Sequence, residues 1–237
     1  MRTLTAPPTQ RFGVPLAPMA IEESALAREW EPRSLLFWDE APPKPYRTVG
    51  AVAVVDVVGA LDTRGGWWWL GYDDVESYVS AALSDPGVKA VVLALDSPGG
   101  MAAGHLDSAR PLRPPAAPAR NPLVAHAGTY ATSAAYALAV SADAVLLTVD
   151  GVVGSIGTIA TVYDRTKATA DAGLDVRVVR SGSLKADPHP DVPLTDASVS
   201  RVRARINELA AMFAAWVSER RPAMGDPLAL QGAAIYG

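Results

Sequence analysis

The chain contains no cysteine, and this absence removes several kinds of chemistry. Without thiols there is no disulfide framework, no cysteine-bound metal and no thiol nucleophile. Histidine is scarce as well, and the three that occur (His105, His126 and His189) fit no metal-ligand spacing. Thiol catalysis and cysteine-based metal sites are therefore excluded.

Charge is also sparse, because only 19% of the 237 residues are charged and the net charge is −4. No long basic run occurs, so the sequence lacks the electrostatic footprint of nucleic-acid binding. No segment reaches the roughly 18 uninterrupted apolar residues that a membrane helix needs. The first ten residues lack the apolar core of a signal peptide. We therefore expect a cytoplasmic protein without a membrane anchor.

The apolar residues, 49% of the chain, suffice for one sizeable domain. Proline is concentrated at the start, with eight prolines in residues 1–48. We expect residues 1–47 to form an extended arm with one short helix over 21–30, either docked on a body or loose. Residues 48–237 are expected to form the folded domain. Its ending at Gly237 suggests truncation at the C-terminus.

Strand-like and helix-like segments alternate from about residue 50 to residue 221. Strands are predicted over 51–58, 89–95, 123–125, 144–148 and 176–179, and helices over 72–83, 101–110, 162–172, 196–221 and from 132 onward. This alternation predicts an α/β fold with a parallel sheet, strands buried on both faces and helices covering those faces. In such sheets, functional sites form at the carboxyl ends of the strands.

Ser133 lies where an apolar run, interrupted at Gly128, gives way to a helix-forming segment. At such a junction the hydroxyl lies near the helix N-terminus, which favours a developing negative charge and suits a nucleophile. The commoner role of a serine in this position is an N-cap. Both interpretations are open on this stretch alone.

A serine nucleophile needs a base, and none of the three histidines has an obvious orienting acid. The alternative base is a lysine held neutral by burial, because the reference pKa of lysine is about 10.4. The chain has four lysines, Lys44, Lys89, Lys167 and Lys185. Only Lys185 lies in a loop that follows a predicted core strand and has small neighbours, although a loop lysine is usually solvated.

Two glycines at the end of the second predicted strand, Gly99 and Gly100, could bring backbone N–H groups close to a substrate carbonyl. The N–H of Ala134, directly after Ser133, would be the second donor of such an oxyanion hole. A Pro-Gly-Gly stretch by itself is more often only a turn.

Four motifs occur in an order that carries a family resemblance: Asp96-Ser-Pro-Gly-Gly100, Tyr130-Ala-Thr-Ser-Ala-Ala-Tyr136, Gly154-Ser-Ile-Gly157 and Ser181-Gly-Ser-Leu-Lys185. Together they resemble the signal peptide peptidase A family of serine proteases, and most closely its phage prohead or capsid-assembly branch. The resemblance covers about residues 48–237. It implies a ClpP/crotonase-like fold and a Ser–Lys dyad.

The resemblance also implies a role for each site residue. Ser133 would be the nucleophile, Lys185 the base and Ser155 the residue that orients the lysine. Gly99 and Gly100 would be oxyanion donors. The family implies no cofactor, a homo-oligomer, and phage capsid, portal or scaffold proteins as substrates or partners.

The sequence departs from the family pattern, and two other functions remain open. Ala134 and Ala135 replace a Gly-Gly pair after the nucleophile, and the connector 111–122 is unusually rich in proline. One alternative is a crotonase-type acyl-CoA enzyme, which the lack of glutamate in the Gly-rich turns disfavours. The other is an inactive shell or scaffold protein, or a decayed prophage remnant. The tryptophans 67–69 fit a substrate wall or an oligomer contact equally well.

Overall fold

A parallel sheet forms where the sequence has its most continuous apolar runs. The computed structural model describes residues 19–21, 45–66, 69–113, 121–225, 227 and 235–236. Its strands are β1 (Met19–Ile21), β2 (Arg47–Val49), β3 (Val52–Val58), β4 (Leu61–Asp62), β5 (Leu70–Gly71), β6 (Ala90–Ser97), β7 (Gly99–Met101), β8 (Leu123–Thr132), β9 (Ala144–Leu147), β10 (Val152–Gly154) and β11 (Ile235–Tyr236). Its α-helices are α1 (Tyr72–Ser84), α2 (His105–Leu112), α3 (Ala134–Ala139), α4 (Thr166–Asp171) and α5 (Asp196–Arg220).

The larger sheet has the strand order β11-β10-β8-β6-β3-β2, and β9 also pairs with β8. Strands β3, β6, β8, β9 and β10 are parallel, whereas β2 and β11 are antiparallel to their neighbours. On one side, strand β8 pairs with two strands: β9 along its first half and β10 along its last three residues. The α/β class with a parallel sheet is confirmed.

A second sheet of short strands has the order β1-β7-β4-β5. Strand β7 lies in its interior, antiparallel to β1 and parallel to β4. Sequence analysis predicted a helix over 101–110, and this prediction is wrong at its start. The glycines of Gly99–Met101 enter the small sheet, so helix α2 begins only at His105.

One face of the large sheet carries the core. On β3 and β6 the side chains of Val55, Val57, Leu93 and Leu95 are at most 1% exposed. The opposite face is only half-buried, and Val58 on it is 54% exposed. The expectation that the strands are buried on both faces is therefore wrong for the single chain. Alternating burial follows from the two-residue period of a strand that has a cover on one side only.

Three other elements differ from their predictions. Strand β8 continues through Gly128 to Thr132, although its pairing with β6 is irregular there, since Leu95 lies opposite Ala127 and Ser97 opposite Ala131. The Thr148 hydroxyl donates to the Gly128 carbonyl. The predicted turn over 151–158 begins with a strand, Val152–Gly154. The predicted strand 176–179 does not form, and Val179 in it is 96% exposed. Trp67, Trp68, residues 114–120 of the proline-rich connector and residues 22–30 of the predicted arm helix lie outside the described residues.

Helix α5 packs against helix α3, which begins directly after Ser133. Its start is capped by the Thr195 hydroxyl, which accepts the Ser198 N–H at 3.1 Å. In its last third, Phe213 and Val217 are fully buried. The Trp216 indole donates to the Ala137 carbonyl at 3.1 Å, which attaches α5 to α3. Within the described part of the chain, no helix combines the length and apolarity needed to cross a membrane.

Candidate active site

The carboxyl ends of three parallel strands meet at one edge of the large sheet. Strands β6, β8 and β10 are neighbours, with Ser97 opposite Ala131 and Gly154 opposite Thr132. The residues that follow these strand ends include Gly99, Ser133 and Ser155. The sequence placed these residues at one edge, and the strand register brings them there. This edge is the usual location of sites in α/β sheets.

The backbone at Ser133 adopts a conformation that L-residues rarely take. Its φ is 54° and its ψ is −125°. A non-glycine residue held in such a region costs on the order of 1–3 kcal/mol, which the surroundings must offset. The Ser133 N–H donates to the Gly154 carbonyl at 2.7 Å, and the Ser133 carbonyl accepts from Tyr136 N at 2.9 Å and Ala137 N at 3.1 Å. A serine on a strained strand-to-helix turn is the geometry of nucleophile elbows.

The hydroxyl of Ser133 makes no capping hydrogen bond with helix α3, although Ser133 is the N-cap residue. The residue is 2% exposed and thus lies inside the fold. The N-cap interpretation is therefore wrong for this serine. Because the hydroxyl is not used by the helix, it is available for another role at the site.

Ser155 shares the unusual backbone of Ser133, since its φ is also 54°. It is half-buried and follows Gly154, whose carbonyl holds the Ser133 N–H. The two serines are therefore connected through one hydrogen bond and one peptide unit. Sequence analysis placed both residues at strand ends but did not predict their positive φ, because neither is glycine.

Strand β7 carries the two glycines expected to donate to an oxyanion. The N–H of Gly99 donates to the buried Ser97 hydroxyl at 3.2 Å. A Cβ on Gly100 would lie 1.8 Å from the Leu61 carbonyl oxygen, so β7 and β4 approach as closely as glycine permits. Helix α3 packs against β7. The N–H of Ala134, at the first position of α3, has no intrahelical acceptor.

Tyr72 is a residue of this region that sequence reasoning missed. It is fully buried, and its hydroxyl donates to the Met101 carbonyl at the end of β7 at 2.6 Å. Burial raises the pKa of this phenol, and the nearby negative charge of Asp62 adds to the effect. The phenol therefore stays protonated and donates. Its only sequence signal was a tyrosine at the start of an amphipathic helix.

Replacing Tyr72 with Phe is expected to destabilise the fold by about 0.5–1.5 kcal/mol, because the partly buried Met101 carbonyl loses its donor. The urea midpoint should fall while the slope of the unfolding curve stays constant. Tyr163→Phe is the matched control, since Tyr163 is 47% exposed. Equal midpoints for both variants would contradict the role assigned to the Tyr72 hydroxyl.

Lys185 lies in a turn and is exposed. Its backbone N–H donates to the Gly182 carbonyl at 3.1 Å. Among the described residues, no hydrogen bond joins it to Ser133 or Ser155. The strand over 176–179 that was predicted to lead into this loop is absent, and the loop runs over the surface. Helix α5 anchors the loop two residues later, where Arg201 Nε donates to Asp187 at 2.7 Å.

The histidines take other roles. His105 is buried, and its Nδ1 pairs with the Ala102 carbonyl at 2.6 Å. Its ring and that of Phe213 pack in a T-shaped arrangement with their centroids 5.3 Å apart. Burial lowers the pKa of His105, which favours the neutral ring. His189 Nδ1 accepts the Asp191 N–H at 3.2 Å, and His126 is half-buried. None of the three bonds to Ser133 within the part of the chain that the structure describes.

Comparison with known proteins finds a family match and several curated relatives. The family described as peptidase family S49 matches residues 116–231. Head-tail preconnector protein GP5 of Enterobacteria phage P21 is 32% identical over 178 residues, which cover 73% of this chain and 35% of that protein. Capsid assembly protease C of Escherichia phage lambda is 31% identical over 191 residues, covering 76% of this chain and 42% of that protein. The chain thus spans less than half the length of these two relatives.

Among solved structures, an enoyl-CoA hydratase from Mycobacterium avium subsp. paratuberculosis K-10 is 18% identical, with a TM-score of 0.37. The alignment covers 78% of this chain and 87% of that protein. The family match and the two phage relatives confirm the resemblance carried by the four motifs. The chain belongs to peptidase family S49.

Proposed function

We propose that this protein is a serine endopeptidase in which Ser133 is the nucleophile and Lys185 the base. The observation that carries the proposal is the Ser133 hydroxyl, which lies on a strained strand-to-helix turn and is not used as a helix cap. Strain of this kind is retained where the surrounding structure fixes a functional residue. Strand β7, which carries the two glycines, packs against helix α3, whose first residue, Ala134, follows Ser133.

The reaction has two steps. In the first, Ser133 Oγ bonds to the peptide carbonyl carbon while its proton moves to the neutral Lys185 amine. The N–H of Gly99 or Gly100, together with that of Ala134, stabilises the oxyanion. The leaving amine takes the proton from Lys185, and an acyl-enzyme remains. In the second step water attacks the ester, Lys185 takes the proton of the water, and Ser133 regains its own.

Lys185 must be buried to act as a base, because burial favours the neutral form of an amine. We propose that a homo-oligomer provides this burial and that Ser155 then orients the amine. Exposed apolar side chains flank the lysine loop in the single chain, with Val179 at 96% and Leu184 at 59% exposure. Val149, after β9, is fully exposed too. Where such apolar groups form a contiguous patch, the patch marks a surface that packs against another protein.

The proposed substrates are scaffold and capsid proteins that are cut during phage head assembly, in the host cytoplasm or inside the prohead. Support comes from the two phage relatives, whose names describe a head-tail preconnector and a capsid assembly protease. Capsid, portal or scaffold proteins would then also be the binding partners. No cofactor takes part in the proposed reaction.

The test is covalent labelling with a fluorophosphonate probe, followed by mass spectrometry of the digested protein. We expect one adduct per chain, on Ser133, with labelling that increases with pH as the base loses its proton. Dilution below the concentration at which the protein assembles should abolish labelling, because Lys185 then becomes solvated. A folded, assembled protein that takes no label would contradict the proposal and favour an inactive shell protein.

A further inference from the structure

A segment of the N-terminal arm lies on the strand that carries the oxyanion glycines. Residues Met19–Ile21 form β1 and pair with β7 in antiparallel fashion. Met19 is opposite Met101, Ala20 opposite Gly100 and Ile21 opposite Gly99. This contact joins the arm to the part of the domain where the reaction is proposed to occur.

Strand β7 would be an edge strand without this segment. In the order β1-β7-β4-β5, the other neighbour of β7 is β4, which fills the opposite side. An open edge exposes unpaired N–H and C=O groups, and extended peptides bind such edges by adding a strand. A peptide on this edge would pass the start of α3, because α3 packs against β7 and Ser133 precedes its first residue.

The short length and the sequence of β1 would allow another peptide to displace it from β7. Within the described residues, three residue pairs hold β1 on β7, which is a short ladder. Pro18 precedes the strand and cannot donate to a ladder, which limits pairing on that side. The segment pairs through backbone groups that any extended peptide carries.

We propose that residues 19–21 are a built-in pseudosubstrate that occupies the peptide-binding edge of β7. An extended peptide substrate binds antiparallel to Gly99–Met101 only after this segment leaves. This inference rests on the proposed function, because it takes the edge of β7 to be the site where the peptidase binds its substrate. The pairing itself can be tested without catalysis.

The size of the effect follows from effective concentration. A strand tethered to its own binding edge competes at an effective concentration of about 1 mM. For a free peptide with a dissociation constant near 100 μM, such a competitor weakens binding by roughly tenfold. Removing the pairing of β1 should therefore tighten the binding of an added peptide by about that factor.

The experiment uses the full chain carrying Ser133→Ala, so that no peptide is cut. The probe is a fluorescein-labelled peptide of residues 14–26, and its anisotropy reports binding. The test variant adds Ala20→Pro and Ile21→Pro. Because hydrogen-bonded and non-bonded pairs alternate along an antiparallel ladder, two successive prolines remove at least one ladder N–H. The matched control adds Ala20→Ser and Ile21→Val, which preserve a strand.

We expect the proline variant to bind the probe about tenfold more tightly than the Ser133→Ala parent, and the control to bind like the parent. A probe that itself carries the two prolines should bind none of them. Equal affinity of parent and proline variant for the unmodified probe, with unchanged circular dichroism, would overturn the proposal. These outcomes do not depend on whether Ser133 is a nucleophile.

A second measurement applies if the proline variant does not fold. Hydrogen exchange at residues 19–21 of the Ser133→Ala parent is followed by mass spectrometry, with and without a saturating amount of the unlabelled 14–26 peptide. We expect the peptide to displace β1 and accelerate its exchange. Unchanged exchange at a peptide concentration that protects Gly99–Met101 would overturn the proposal.

Discussion

Ser133→Ala and Lys185→Met are each expected to lower the rate of peptide hydrolysis by at least about 10³-fold. In the proposed mechanism the serine supplies the attacking oxygen and the lysine removes its proton, so neither contributes to the reaction without the other. The double variant should therefore be about as slow as either single variant, because residues that act as a unit show strongly non-additive effects.

The control for the lysine is Lys167→Met. Lys167 is exposed in α4 and pairs with Asp171 at 2.6 Å, so its loss removes one surface charge without touching the strand ends. Activity of this variant should stay near that of the wild type. Full activity of Lys185→Met, measured with the same peptide at the same state of assembly, would show that another group is the base. Retained activity of Ser133→Ala would show that Ser133 is not the nucleophile.

Gly100→Ala is expected to cost about 3 kcal/mol of stability or more, at the upper end of the range for overpacking. The new Cβ would lie 1.8 Å from the carbonyl oxygen and 2.5 Å from the carbonyl carbon of Leu61. Both are backbone atoms, which cannot turn away as a flexible side chain could. Strand β7 must therefore separate from β4, and Gly99 and Gly100, the proposed oxyanion donors, move with it.

Gly182→Ala is the matched control for this change. A Cβ on Gly182 meets no atom within 4 Å, and the loop that contains it lies on the surface. Replacing such a glycine should leave stability unchanged or raise it slightly, because the unfolded chain loses conformational freedom. Urea unfolding of both variants gives the comparison. Similar midpoints would mean that β7 and β4 are not in tight contact.

The fold class and the location of the site could be predicted from the sequence. Apolar runs such as 51–58 and 89–95 predicted the parallel strands. Small or turn-forming residues after these runs indicated where each strand ends. Ser133 and Ser155 could be placed at neighbouring strand ends for this reason. The register of β8 with β10 then puts the two serines next to each other.

The course of the lysine loop could not be predicted. Residues 176–179 are apolar and β-branched, which favours a buried strand, yet Val176 and Val179 are 45% and 96% exposed. An apolar sequence indicates that its side chains favour burial, but it does not indicate whether the same chain or another protein buries them. Local pattern alone therefore led to a strand where the single chain has none.

The pairing of β1 with β7 could not be predicted either. Three residues with no alternating pattern carry no strand signal, and their partner strand lies far along the chain. The arm sequence instead favoured a helix beginning at Ile21, because acidic residues follow directly. The pairing depends on an edge that exists only once β7 and β4 have come together.

The hydrogen bond from Ser133 N to the Gly154 carbonyl has a consequence for the precision of the site. The peptide unit that accepts this bond continues directly into Ser155, so the bond constrains the backbone of Ser133 relative to that of Ser155. In the proposed reaction such a constraint would keep reorganisation small, and preorganised groups stabilise developing charge better than the same groups do in water.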